Sequence, residues 1–137
     1  MQLSKHFTLE EFEKSQTATR KGITNKAGSG EIKNLGDLCY EVLEPVRAKF
    51  DKPVTITSGY RSVLHPAEAK KKTPGVHNEG VAADVAVSRE DAYKLLLIAF
   101  QIGFTGIGVQ QKGTGRFIHL DTSTGSSRSP RPTVWSY

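Results

Sequence analysis

The chain has 137 residues, enough for one domain with a modest core and no need of disulfide staples, and its single cysteine excludes an internal disulfide framework. Its formal charge of +5 comes from scattered basic residues, with Lys70-Lys71-Lys72 the only run and no aromatic residues interleaved among them, which argues against a nucleic-acid surface and for a solvated loop. No apolar stretch approaches the roughly 18 residues of a membrane span and no positive-then-apolar leader is seen, so the expectation is cytoplasmic synthesis without a signal peptide and no membrane partner.

In chain order, Thr8 and Glu11 stand at capping-box spacing and open a short helix with Leu9 and Phe12 facing inward. Residues 16–29 read as a polar loop with one sizeable apolar anchor, Ile23. From about Gly30 to Phe50 the residues Ile32, Leu35, Leu38, Cys39, Val42, Leu43, Val46 and Phe50 recur at three and four. That is an amphipathic helix and the main core element, which Pro45 should kink or interrupt. Cys39 lies on its apolar side and reads as a small buried hydrophobe rather than a nucleophile. Val54 to Ser58 is a β-branched strand with Val54 and Ile56 on one face, ending in a Ser-Gly-Tyr-Arg turn that presents Arg61. By default an arginine there is a surface residue. His65, followed by Pro66 and without a ligand partner at helical spacing, and His6, beside Phe7, are assigned structural roles.

Pro74 to Val87 reads P-G-V-H-N-E-G-V-A-A-D-V-A-V. His77 and Asp84 are seven apart, which on a helix is roughly 10 Å and on a straight strand means opposite faces, so both reach one ion only if the chain turns between them. Gly80 is the residue that tolerates the turn. After it, Val81, Ala83, Val85 and Val87 alternate with Ala82, Asp84 and Ala86. Ser88 then caps a helix whose inner face is Ala92, Leu95, Leu96, Ala99 and Phe100, ended by Gly103. Thr105–Gln110 and Phe117–Asp121 form a hairpin around a polar turn, and Val134 and Trp135 either return as an edge strand or fray. In R-F-I-H-L-D, His119 and Asp121 share a face opposite Ile118 and Leu120. The whole is expected to be one α+β domain, residues 1–137, with a small antiparallel sheet against two or three helices.

Two histidines and one aspartate, His77, Asp84 and His119, with a fourth position for water, make the ligand count of a catalytic zinc. Spacing alone leaves a second reading open, in which His77 is a solvated loop residue, Asp84 a cap or turn former and His119 a core histidine.

The pattern His77-x-x-Gly80-x-Ala82-x-Asp84, preceded by Thr57-Ser58-Gly59-Tyr60-Arg61-Ser62 and followed by Ile118-His119-Leu120-Asp121, resembles the zinc D-alanyl-D-alanine carboxypeptidases. Their superfamily also holds D-Ala-D-Ala dipeptidases, phage endolysins and the hedgehog fold. The opening, Leu3 to Phe12, is similar to short phage and prophage members. The resemblance implies zinc on His77, Asp84 and His119, Arg61 as a clamp on a substrate carboxylate or carbonyl, and hydrolysis of peptidoglycan stem peptides, by a D,D-carboxypeptidase or a phage-type endopeptidase. Two positions depart from the family pattern. Arg116 stands where the family has an acid three before the last histidine, and Gly75 where it has a serine two before the first. Asp121 is therefore expected as the base acting on zinc-bound water, with orientation of His119 as its other role, and Glu79 as the fallback base. The competing class is a noncatalytic, zinc-stabilised module of a phage particle, favoured by the missing acid.

Overall fold

The structure, a computed structural model, describes residues 1–71, 73 and 75–137. Lys72, last of the lysine run, and Pro74, first of the stretch around His77, lie outside the described residues. At the amino end the capping box forms. The Thr8 backbone N–H donates to Glu11 Oε2 at 2.7 Å, and α1 (Leu9–Glu13) follows with Leu9 and Phe12 buried.

Residues 16–29 correct the expected loop. Ser15 Oγ accepts from the Ala18 N–H and starts α2 (Gln16–Arg20), with Ala18 buried, while Ile23 is only half-buried. The anchor farther on is polar: Asn25 is buried and its amide bonds three backbone groups. A five-residue helix held by one cap and one alanine has no periodicity to detect.

The long amphipathic segment divides into α3 (Ser29–Leu38), a π-helical turn (Cys39–Leu43) and α4 (Glu44–Phe50). Pro45, the second residue of α4, lies just past that turn. It has no N–H for the carbonyl four residues back and its ring crowds that carbonyl, and a locally widened helix relieves both. Cys39 is fully buried, and burial pushes its thiol up to about 12, so it is an inert core residue. Glu44 accepts from the Ser4 hydroxyl and the His6 backbone and lies 2.6 Å from His6 Nδ1, tying down the amino-terminal arm.

The sheet comprises β1 (Ile56–Ser58), β2 (Ala82–Ala86), β3 (Gly106–Gln110), β4 (Phe117–Asp121) and β5 (Thr133–Ser136), in the order β1-β2-β4-β3-β5. The sheet is mostly antiparallel, as expected, and only β3 with β5 pairs parallel. β1 is shorter than the expected strand, although Val54 is buried just before it. The short helices α5 (Pro66–Ala69) and α6 (Val76–Glu79) lie between β1 and β2, and α7 (Arg89–Ile102) between β2 and β3.

Residues paired across a sheet share a face. Ala83, Val85, Ile107, Ile118 and Leu120 share one, buried in a single cluster with α3, α4 and α7. Asp84, His119, Asp121, Gly106, Gly108 and Trp135 share the other. On α7 the inner face is Ala92, Leu95, Ile98 and Ala99, whereas Phe100, expected inside, is 58% exposed. Eight residues after Ala92, Phe100 is rotated roughly 80° from it, to the side away from Leu95, and Ile98 takes the buried place. Gly103, at φ 101°, ends the helix as expected. Among the described residues no helix is long and apolar enough to cross a membrane.

Candidate metal centre

Two turns of chain bring the ligand candidates together. His77 sits on α6, which ends at Gly80 with φ 80°. This left-handed turn favours glycine, and a Cβ there would stand 2.8 Å from the Glu31 carbonyl oxygen of α3. The reversal feeds β2, and Asp84 comes back beside His77. The ladder then sets His119 directly opposite Asp84.

His77 Nε2 lies 3.4 Å and His119 Nδ1 2.9 Å from the same oxygen, Asp84 Oδ1, and one ligand atom from each residue lies within 4.8 Å of the others. All three side chains are buried, which removes the solvated-loop alternative for His77. The far nitrogens are also engaged. His77 Nδ1 is 2.7 Å from the Gly59 carbonyl oxygen, and His119 Nε2 is 2.7 Å from Asp121 Oδ2. Neither oxygen can donate, so these nitrogens carry the hydrogens, and His77 Nε2 and His119 Nδ1 turn inward. Two imidazole nitrogens and a carboxylate, each imidazole held from behind, are a donor set that fits zinc.

The electrostatics agree. Burial pulls the His119 imidazole pKa down, but the Asp121 and Asp84 carboxylates beside it outweigh burial and raise it. Burial pushes Asp84 up, but hydrogen bonds from His119 and His77 hold it far below the usual carboxylate range. Asp121 is likewise held down, to about 2, with His119 and Arg131 overcoming its burial. These shifts favour a charged imidazole beside charged carboxylates, the arrangement in which Asp84 and Asp121 hold His119 between them.

Asp121 is 0% exposed and its acceptor positions are filled. Oδ2 takes His119 Nε2 and Arg131 Nη2 (2.8 Å), and Oδ1 takes Arg131 Nε (3.0 Å) and the Ser123 N–H (3.1 Å). Asp121 bonds His119 directly, and it lies across the imidazole ring from Asp84.

Arg61 reaches the site from the other side, with Nη2 3.7 Å from Asp84 Oδ2, and is half-buried. Its backbone is bracketed. The Arg61 N–H donates to the His77 carbonyl, Asn78 Nδ2 donates to the Arg61 carbonyl, and Asn25 bonds the Tyr60 carbonyl and the Ser62 N–H on either side. Asn25, Arg131 and Trp135 were not among the expected site residues. Their only local signals are an asparagine in a polar stretch and an Arg and a Trp in an irregular tail.

The remaining candidates stay outside. Arg116 lies in the β3–β4 turn with Nε on the Gly113 carbonyl. Glu79 is exposed. His65 is buried but bonds Ser15 Oγ and the Ala67 N–H. At Gly75 a Cβ would meet Lys71 Nζ at 2.9 Å, so the Lys71–Glu68 pair fills the space a serine would use. A groove of about 520 Å³ is lined by residues that include Ser58, Tyr60, Arg61 and His65, and another of about 780 Å³ by residues that include Gly75, Val76, Ser123 and Arg131; His77, Asp84 and His119 line neither.

Among curated proteins the chain has no match. Residues 5–121, which contain His77, Asp84 and His119, match the family described as Peptidase M15. The chain therefore belongs to the peptidase M15 family of metallopeptidases, which includes the zinc D-Ala-D-Ala carboxypeptidases.

Proposed function

We propose that this chain is a zinc-dependent hydrolase of peptidoglycan stem peptides, a D,D-carboxypeptidase or an endopeptidase of phage type. The observation that carries the proposal is the convergence of His77 Nε2, Asp84 and His119 Nδ1, with each imidazole tied at its far nitrogen. Zinc held by these residues would polarise the scissile carbonyl and bring water towards ionisation near neutral pH. Arg61, a planar fork of donors beside Asp84, would hold a substrate carbonyl or carboxylate. Asp121 has no lone pair left for water, so it takes the second of its two expected roles and orients His119. The groove that Arg61 lines offers room for substrate beyond the group Arg61 would hold. The similarity of Leu3 to Phe12 to short phage members supports a phage or prophage setting.

A noncatalytic, zinc-stabilised module is the second reading, favoured by Arg116 in the turn where an acid would be expected. Digestion of purified cell walls separates the cases. Free D-alanine released with zinc and suppressed by chelator marks the carboxypeptidase, and new peptide amino termini mark the endopeptidase. One zinc per chain with no product from either assay establishes the module. Asp121→Asn at saturating zinc tests the orienting role. Turnover should stay near wild type while zinc affinity falls about 10–100-fold. A fall in turnover of about 10² to 10⁴ would make Asp121 the base.

A further inference from the structure

The family match ends at Asp121, yet the contacts that hold the last ligand come from beyond it. Arg131 meets Asp121 side-on with two donors, at 3.0 and 2.8 Å, and its third nitrogen donates to Ser129 Oγ and the Pro130 carbonyl. Every arm of this guanidinium is used, and its side chain is almost fully buried. Trp135, on β5, places its ring 5.1 Å from the His119 ring and 5.1 Å from the Arg131 guanidinium carbon. The His77 ring also stands edge-on to His119, at 5.1 Å. The last ligand is thus gripped at its far nitrogen and packed by two rings.

The strand between is bare where these groups cross it. Gly106 pairs with Asp121 and Gly108 with His119 and Trp135. A Cβ at Gly106 would fall inside the Asp121 carboxylate, and one at Gly108 would stand 2.6 Å from Trp135 Nε1. Neither glycine has a positive φ, so close approach rather than turn geometry accounts for both.

We propose that Arg131 and Trp135 are positioning residues of the metal centre. Arg131 holds the Asp121 carboxylate so that Oδ2 accepts from His119 Nε2, and Trp135 holds the ring plane that aims Nδ1 at the ion. A stabilising ion pair is a poor alternative account. A buried Arg–Asp pair recovers little beyond the cost of desolvating it, and apolar side chains of the same volume would hold β5 as well. Two parallel donors, by contrast, set the direction of a carboxylate, which a point charge does not.

The proposal rests on the metal site described above, and its test reads zinc binding rather than hydrolysis. Chelator competition should show zinc affinity about 10–100-fold lower in Arg131→Gln and Trp135→Phe, the range for contacts behind a ligand. Arg131→Lys, which keeps the charge and loses the fork, should fail to restore wild-type affinity. In an Asp121→Asn background, Arg131→Gln should cost little more, because both changes break one chain of contacts. Wild-type affinity in Arg131→Lys, or full additivity in the double variant, overturns the proposal. So does a fall in zinc-free melting temperature with affinity unchanged, which would make the pair structural. If Arg131→Gln does not fold, the Lys and Trp135→Phe variants decide. A protein that binds zinc in this Arg131-dependent way but cuts no cell wall would refute the peptidase proposal and leave this one standing, and a wild-type chain that binds no zinc would refute both.

Discussion

The two faces of the sheet bury neighbouring residues to the same depth for opposite reasons. On β4, Ile118 and Leu120 point into the helices while His119 and Asp121 point to the candidate metal centre, and all four are almost fully inaccessible. Each apolar side chain gains about 1.5–3 kcal/mol from leaving water. The charged ones gain little net, because desolvation offsets their attraction. Burial by itself therefore does not identify what stabilises this fold. One face holds the chain folded, and the other spends that stability on holding charges in a fixed array.

The largest expected effect lies on the site face. His119→Ala should abolish stoichiometric zinc and with it any hydrolysis, as elemental analysis and the wall assay would show. Retained zinc at wild-type affinity would remove His119 from the ligand set. One residue along, Leu120→Ala should do the reverse. It should cost about 2–5 kcal/mol of stability in denaturant titration, with zinc per folded molecule unchanged, and a loss of zinc at full stability would blur the two faces. Arg61→Ala comes third. Turnover should drop about 10²-fold, the scale of a lost transition-state donor, with little change in melting temperature, and a large fall in stability with turnover per folded molecule intact would move Arg61 to the structural side.

The smallest effect is one of pH. In the metal-free fold His119 holds its proton more tightly than in the unfolded chain. Its contribution is therefore complete below about 6.5 and is lost as pH rises through the folded pKa. Asp84 and Asp121 hold theirs less tightly, so their contributions are present above about 3.9 and fade as pH falls through the folded values, about 2 for Asp121. With chelator, melting temperature should be highest between these limits and decline by a few degrees towards alkaline pH. With zinc, which needs the deprotonated imidazole, the alkaline decline should vanish. A flat profile with chelator would show that no proton sits between the carboxylates.

How much of this was legible depended on the range of the interaction. Val81 to Val87 and Phe117 to Asp121 alternate cleanly, so the faces of Asp84 and His119 followed from period two, and Gly80 marked the required turn. The long helix and its interruption near Pro45 were equally local. Asn25 was not legible, because its three partners, Glu13, Tyr60 and Ser62, are brought together only by the fold. Nor was the contribution of the tail. Parallel pairing of β5 with β3 leaves no hairpin signal, and Arg131 finds Asp121 across an irregular loop. The alternating glycines of Gly106-Ile107-Gly108 were a usable clue, since glycine inside a strand marks close approach of another group.

The indole against His119 belongs to the single tryptophan of the chain. Its emission, excited at the red edge where the four tyrosines do not absorb, comes from one place, a ring beside an imidazole whose protonation and ligation would change on binding the proposed zinc. A protonated imidazole is an efficient quencher, and a ligated one is held still and stripped of that proton. Under the proposed zinc site this indole would be a built-in optical reporter: titrated with zinc, its fluorescence should change to a sharp end point at one equivalent, with no label attached and no substrate present.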